Sequence, residues 1–199
     1  MKGRIKKMGK RITITDRDLE ALVKELKEKF AGTKCYGEIE IKKKFPEDNK
    51  TAALHFTPEA WCKMTTLVSE FNTEVQWHGL IERMYSDDEG TEFLVKDILV
   101  FPHEVSSATV ISDYKEYNDW INGLDDETFN SMRFHGHSHV NMSVSPSGVD
   151  MKYRRDIATQ MSPSESTDQF YAFLIINKKN EFSGEIYDVS SNTLYSTEN

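Results

Sequence analysis

His137-Ser138-His139, followed after seven residues by Ser147-Gly148-Val149-Asp150, is the part of this chain whose residue types and spacing can do chemistry. Histidines at i and i+2 of a strand point to one side of it. A carboxylate eleven positions after the second histidine returns to that point if the chain turns there and starts a helix. Two imidazoles and one carboxylate form a three-ligand set for a catalytic zinc, with the fourth position left for water. Neutral imidazole and ionised carboxylate suit zinc better than calcium or a thiolate-seeking metal. With 6 His, 17 Ser and 14 Asp in 199 residues, the pattern arises by chance roughly once in a thousand such chains, so it is read as a site.

A hydrolytic zinc needs a general base for the proton of its water and a donor for the oxyanion on the substrate carbonyl. Ser147 is placed for the donor role, one helical turn before Asp150, and Ser-x-x-Asp is equally a helix-start cap. We read Ser147 in both roles. Glu74, between an expected helix and the strand of Val75-Gln76-Trp77-His78-Gly79-Leu80, is the leading candidate base; Glu70 and Glu82 are weaker on position. His135 shares the strand face of His137 and His139, which makes a three-histidine stripe. A metallo-β-lactamase-like site counted from His135 would need Asp and His where Ser138 and His139 stand, and an amidohydrolase barrel needs a longer chain. His135 is therefore read as an outer partner of the ligands or a packed histidine. His55, His78 and His103 lack ligand spacing, and Cys62 reads as a small core side chain rather than a nucleophile.

Glu74, His137, Ser138, His139, Ser147 and Asp150 together resemble the signature of the JAMM (MPN+) metalloproteases: an upstream Glu, then His-x-His, seven residues and Ser-x-x-Asp. The resemblance covers roughly residues 52 to 188. It implies His137, His139 and Asp150 as zinc ligands, Glu74 as general acid/base and Ser147 as stabiliser of the tetrahedral intermediate. It implies cleavage of isopeptide or peptide bonds after the C-terminal tail of ubiquitin or a ubiquitin-like protein. The fold it implies is a cytidine-deaminase-like α/β/α sandwich on a mixed, curved sheet. Two positions depart from the pattern: Val140 stands where many members carry proline, and Gly79 lies five residues after Glu74 rather than about three. The competing reading is a non-catalytic scaffold of the same fold that binds a partner protein; the intact ligand set favours the enzyme.

These residues need elements to hold them. Thr15 as N-cap and Leu19, Leu22, Val23, Leu26 and Phe30 at helical spacing predict a first helix ending at Gly32. A strand at Tyr36 to Ile41 leads into Lys42-Lys43-Lys44, and 45–49 reads as a turn. Residues 1–50 are expected to form an N-terminal appendage, and 51–199 the metalloprotease-like domain. In that domain we expect a strand at 52–56, a helix from Pro58 to about Phe71, and a hairpin of strands at 75–84 and 93–101. One or two helices should follow at 113–131, broken near Gly123, and strand 132–138 delivers the histidines. Ser147 caps a helix to Gln160, 162–167 is a polar loop, and strands at 170–177 and 182–189 close the chain. Helices among mostly hairpin-linked strands make the class α/β or α+β on a mixed sheet.

Composition limits the alternatives. The net charge is -8. Residues 1–11 carry six basic residues and no acid, which leaves -14 on the other 188. An acidic body argues against a nucleic-acid surface. No run approaches the length of a membrane span, and the basic start has no apolar stretch behind it, so no secretory signal is expected. Two cysteines, Cys35 and Cys62, make no disulfide framework, and a reducing, cytoplasmic location is the expectation. The expected partner is a protein or peptide substrate. Its identity and the oligomeric state are not encoded in any motif.

Overall fold

The computed structural model describes residues 12–14, 20–24, 37–43, 51–87, 90–105, 110–111, 114–161 and 168–196. Its strands are β1 (Ile12–Ile14), β2 (Gly37–Lys43), β3 (Thr51–Phe56), β4 (Gln76–Ser86), β5 (Gly90–Leu99), β6 (His103–Val105), β7 (Val110–Ile111), β8 (Met132–Ser138), β9 (Phe170–Ile176), β10 (Phe182–Asp188) and β11 (Thr193–Ser196). The helices are α1 (Pro58–Glu70), α2 (Tyr114–Asn122), α3 (Asp126–Ser131) and α4 (Gly148–Gln160). The class is mixed α/β.

Eight strands curl into one mixed sheet in the order β10-β11-β2-β3-β5-β4-β8-β9, and β9 pairs β10 to close the ring. Two neighbours run parallel, β3 with β5 and β8 with β9. A parallel pair needs a crossover, and α4 is the crossover between β8 and β9. β1, β6 and β7 form a separate three-stranded sheet.

The strand expected inside the N-terminal appendage is β2, and it pairs with β3 along six positions and with β11 along two. The main sheet thus runs across residue 50. Of the expected first helix, 20–24 are helical and Val23 is buried in the core; Thr15 and Gly32, the turn at 45–49, and 162–167 lie outside the described residues.

α1 starts where Thr57 Oγ1 accepts a hydrogen bond from Ala60 N at 3.1 Å and Pro58 takes the first helical position, where a missing N–H costs nothing. Its apolar face (Ala60, Met64, Leu67, Val68) is buried in the same cluster as Leu54, Trp77, Phe93, Phe134 and Leu174. The break between α2 and α3 falls at Gly123, as expected, and Asp125 caps α3 through Thr128 N at 2.8 Å.

Along β8 the faces divide. Phe134, Gly136 and Ser138 are buried, with Phe134 in the core shared with α1. His135 and His137 lie on the other face: His135 packs on Tyr153 of α4 at 4.8 Å between ring centroids, and Tyr153 meets Phe173 at 6.2 Å. α1 and α4 therefore cover opposite faces of the sheet.

On another part of the sheet Arg83 forks onto Asp188 (2.9 and 3.1 Å) and reaches Asp168 at 2.9 Å. Its guanidinium lies over Phe93 and Phe170. Burial opposes the charge on Asp188, but hydrogen bonds from Arg83 and Ser191 hold its carboxyl below the usual range. Stability from a depressed carboxylate is present above its unfolded pKa, about 3.9, and is lost as pH falls through the folded one. Asp188→Ala is expected to cost about 3 kcal/mol by leaving a half-buried guanidinium underpaired. Urea melts at pH 7 and pH 3 test it: the gap between variant and native protein should be large at pH 7 and shrink at pH 3. An equal gap at both would remove the ion pair as its cause.

Candidate metal centre

The strand-crossover-strand unit β8-α4-β9 fixes three side chains at the carboxyl end of β8, where open α/β sheets hold ligands. His137 comes from the last turn of the pleat. His139 follows the strand end, held by its N–H to Ile176 O at 2.9 Å. Ser147 starts α4 with a reciprocal cap. Ser147 Oγ accepts from Asp150 N at 3.2 Å, and Ser147 N donates to an Asp150 carboxylate oxygen at 2.7 Å. That cap turns Asp150 toward the histidines.

His137, His139 and Asp150 form the group of described residues that can hold a metal ion, with ligand atoms within 4.8 Å of one another. His137 Nε2 is 3.1 Å from His139 Nε2 and 3.3 Å from Asp150 Oδ1, and His139 Nε2 is 3.8 Å from Asp150 Oδ2. Ligands about 2.0–2.1 Å from a tetrahedral centre lie roughly 3.3 Å apart, so the triangle is the right size. His139 Nδ1 bonds the carbonyl of Ser143. An N–H there leaves the Nε2 lone pair facing the group, the tautomer a metal ligand requires. The donor set fits a divalent cation.

The electrostatics agree with that fit. Burial pushes His137 down to about 4, which keeps it neutral. His139 is raised, first by its hydrogen bond to Asp150. Burial works against the Asp150 anion, yet hydrogen bonds from His139 and Ser147 hold its carboxyl well below the carboxylate range. Two neutral-capable imidazoles therefore face a carboxylate that stays ionised.

Glu74 lies in the link between α1 and β4 and lines the same cleft. It is half-buried, and that burial, with repulsion from Asp150, raises its pKa against the opposing pull of His139. Glu70 and Glu82 are exposed; Glu82 pairs with Lys96 at 2.8 Å. The link is pinned by Ser138, the central residue of His-x-His. Ser138 N donates to Val75 O at 2.8 Å, and Val75 N donates to Ser138 Oγ at 3.1 Å. Ser138 is buried. The residue between the histidines thus sets the position of the residue after Glu74, a role that its spacing alone does not announce.

The cleft encloses about 700 Å³. Glu74, Asp150 and Ser147 lie along it with the two ligand histidines, and His78, Phe101, Tyr117, His135 and Tyr153 also line it. His135 is outside the ligand triangle; its Nδ1 is buried with no hydrogen-bond partner among the described residues. His78, expected to be ordinary, is cross-strand partner to His135 and bonds Tyr117 OH at 3.0 Å. No spacing along the chain announces that pairing, which arises from β4 lying beside β8 in the sheet. His103 is buried and bonds Phe101 O, and His55 pairs with Glu92 at 3.6 Å, both away from the ligand group. Cys62 is half-buried against the core.

No family model and no curated protein sequence matches this chain.

Proposed function

We propose that the protein is a zinc-dependent hydrolase of amide bonds, an isopeptidase or peptidase of the JAMM (MPN+) type on a cytidine-deaminase-like sandwich. The observation that carries this reading is the triangle of His137, His139 and Asp150, of tetrahedral dimensions, in one cleft with a half-buried glutamate. His137 Nε2, His139 Nε2 and an Asp150 oxygen would hold the metal. When bound, zinc supplies Lewis acidity and a water acidified toward neutral pH.

The rest is done by the chain. Glu74, raised by burial, is a carboxylate basic enough to take a proton and later return it to the leaving amine. Ser138 holds Glu74's link, which keeps its carboxylate beside the ligand group. Ser147 Oγ accepts from Asp150 N, so its own proton is the atom it offers to a developing oxyanion. Ser143 fixes the His139 tautomer.

The loop after His139 follows its own path. Val140 has φ 45°, a left-handed backbone that proline, locked near -65°, cannot adopt. The family-pattern proline is thus excluded by conformation. A ubiquitin-like tail is the substrate class the resemblance suggests.

Glu74→Gln tests the reading. The variant should keep zinc at the native stoichiometry and lose about 10²–10⁴-fold in hydrolysis of whichever conjugate the native protein cleaves. Metal analysis and turnover are measured on the same sample, with a chelator control. Native turnover in the variant would take Glu74 out of the mechanism.

A further inference from the structure

The far end of the cleft has a definite character. From His137 the rings run continuously: His137 to His135 at 6.0 Å between centroids, His135 to His78 at 5.5 Å, and His78 to Phe101 at 4.9 Å. Trp120 of α2 lies behind His78, stacked nearly parallel at 15° and 6.1 Å away. Tyr117 closes the set, 5.1 Å from Phe101. The chamber therefore begins one ring away from a ligand histidine. A carbonyl at the metal group would have its neighbouring substituent in the chamber.

We propose that this chamber is a side-chain pocket that selects substrates carrying an uncharged aromatic group next to the scissile amide. The inference rests on the hydrolase reading for the word substrate, and on the chamber alone for its chemistry. Offset and edge contacts between rings are favourable at centroid separations of 4.5–7 Å, the range in which these walls already pack on one another. Among the described residues the chamber end is lined by no carboxylate, lysine or arginine; the cleft's acids, Glu74 and Asp150, are at the metal group. Burial keeps its titratable walls neutral, with His78 lowered to about 4 and Tyr117 pushed up to about 12. His78 Nε2 and Tyr117 OH satisfy each other at 3.0 Å; Nδ1 of His78 and Nδ1 of His135 are the wall atoms left buried without a hydrogen-bond partner among the described residues. A charged side chain would lose its water and find no counter-charge. A glycine would leave the rings unfilled. At about 700 Å³ the cleft has the capacity typical of small-ligand sites.

Tryptophan fluorescence reads the chamber through its wall, because Trp120 stacks on the far side of His78. The full-length, zinc-supplied protein is titrated with N-acetyl-phenylalanine amide, and with the glycine, lysine and glutamate analogues. Trp120→Phe serves to assign the signal. The phenylalanine compound should bind about 10- to 100-fold more tightly than the glycine one, the gain from burying a phenyl ring, and the charged analogues no better than glycine. Tyr117→Ala, checked for native melting, should reduce that ratio severalfold; Tyr117→Trp, which fills the chamber, should abolish it. Equal affinity across the four compounds in the native protein overturns the proposal. Chelated protein should keep the same ranking, since no ligand residue belongs to the chamber. Selective binding without hydrolysis would defeat the hydrolase reading and leave the pocket standing. Cleavage of glycine-tail conjugates with no aromatic preference would do the reverse.

Discussion

Alanine at position 150 is expected to abolish metal binding in a protein that still folds. Asp150 supplies one corner of the ligand triangle and, through the N–H of Ser147, one half of a helix cap. The cap contributes about 1 kcal/mol, a loss a domain of this size survives. The ligand contributes far more. Losing an outer partner of a metal ligand costs about 10–100-fold in affinity, and removing the ligand itself, with its negative charge, should exceed that. Native protein at one zinc per chain should melt higher as zinc is added, by about 2.7 kcal/mol at a hundred times the dissociation constant. Asp150→Ala should show no such rise. Asp150→Asn separates the two roles, because its amide oxygen can still accept from Ser147 N while the charge is gone. It should melt like the native metal-free protein and bind zinc as poorly as the alanine variant. His137→Ala should lose metal likewise. Stoichiometric zinc in Asp150→Ala would remove the triangle as a metal site.

Gly136→Ala should be the most damaging single methyl group in the molecule. A Cβ built there would lie 2.2 Å from Trp77 Nε1 and 2.4 Å from its Cε2. Trp77 is fully buried and its ring belongs to the core, so it has nowhere to retreat. Overpacking of this kind costs about 3 kcal/mol, and relief by moving β8 would displace His135 and His137 relative to Asp150 on α4. Chemical denaturation should show the loss of stability, and zinc affinity should fall with it although no ligand is changed. Gly148→Ala is the control: nothing lies within 4 Å of its added Cβ, and it adjoins the same site. Equal, small effects at both positions would show that Trp77 yields.

How much of this was legible in the sequence depends on distance along the chain. The ligand histidines, Ser147 and Asp150 lie within fourteen residues, and each is placed by a local rule: alternation on a strand, or a cap on a helix. Those rules survive folding. Glu74 is different. It reaches the cleft because Val75 pairs with Ser138, 63 residues away; its place between helix and strand marks it out from Glu70 and Glu82, but not its approach to the ligands. The aromatic chamber is less legible still, since its rings come from β4, the segment after β5, α2, β8 and α4, with no shared period. In the fold, the longer strands β4, β5 and β9 declare themselves, β5 by alternation and β9 by a continuous apolar run. β6, β7 and β11 are two to four residues long, too short for a period to register, and their pairing is decided by the strands that receive them. The boundary expected at residue 50 falls between β2 and β3, which pair along six positions, a contact that no local pattern in either segment announces.

The closed order of the main sheet has a consequence for how any extended chain can be gripped. Many domains bind a peptide by letting it extend a sheet as one more strand, with backbone hydrogen bonds providing affinity regardless of sequence. That requires a strand with one side unpaired. Each of the eight strands here has a neighbour on both sides over part of its length, the shortest join being β2 with β11 at two positions. Free flanks belong to the small sheet, at β1 and β7. A chain that binds by adding a strand would therefore find its free flanks on the small sheet rather than along the closed order.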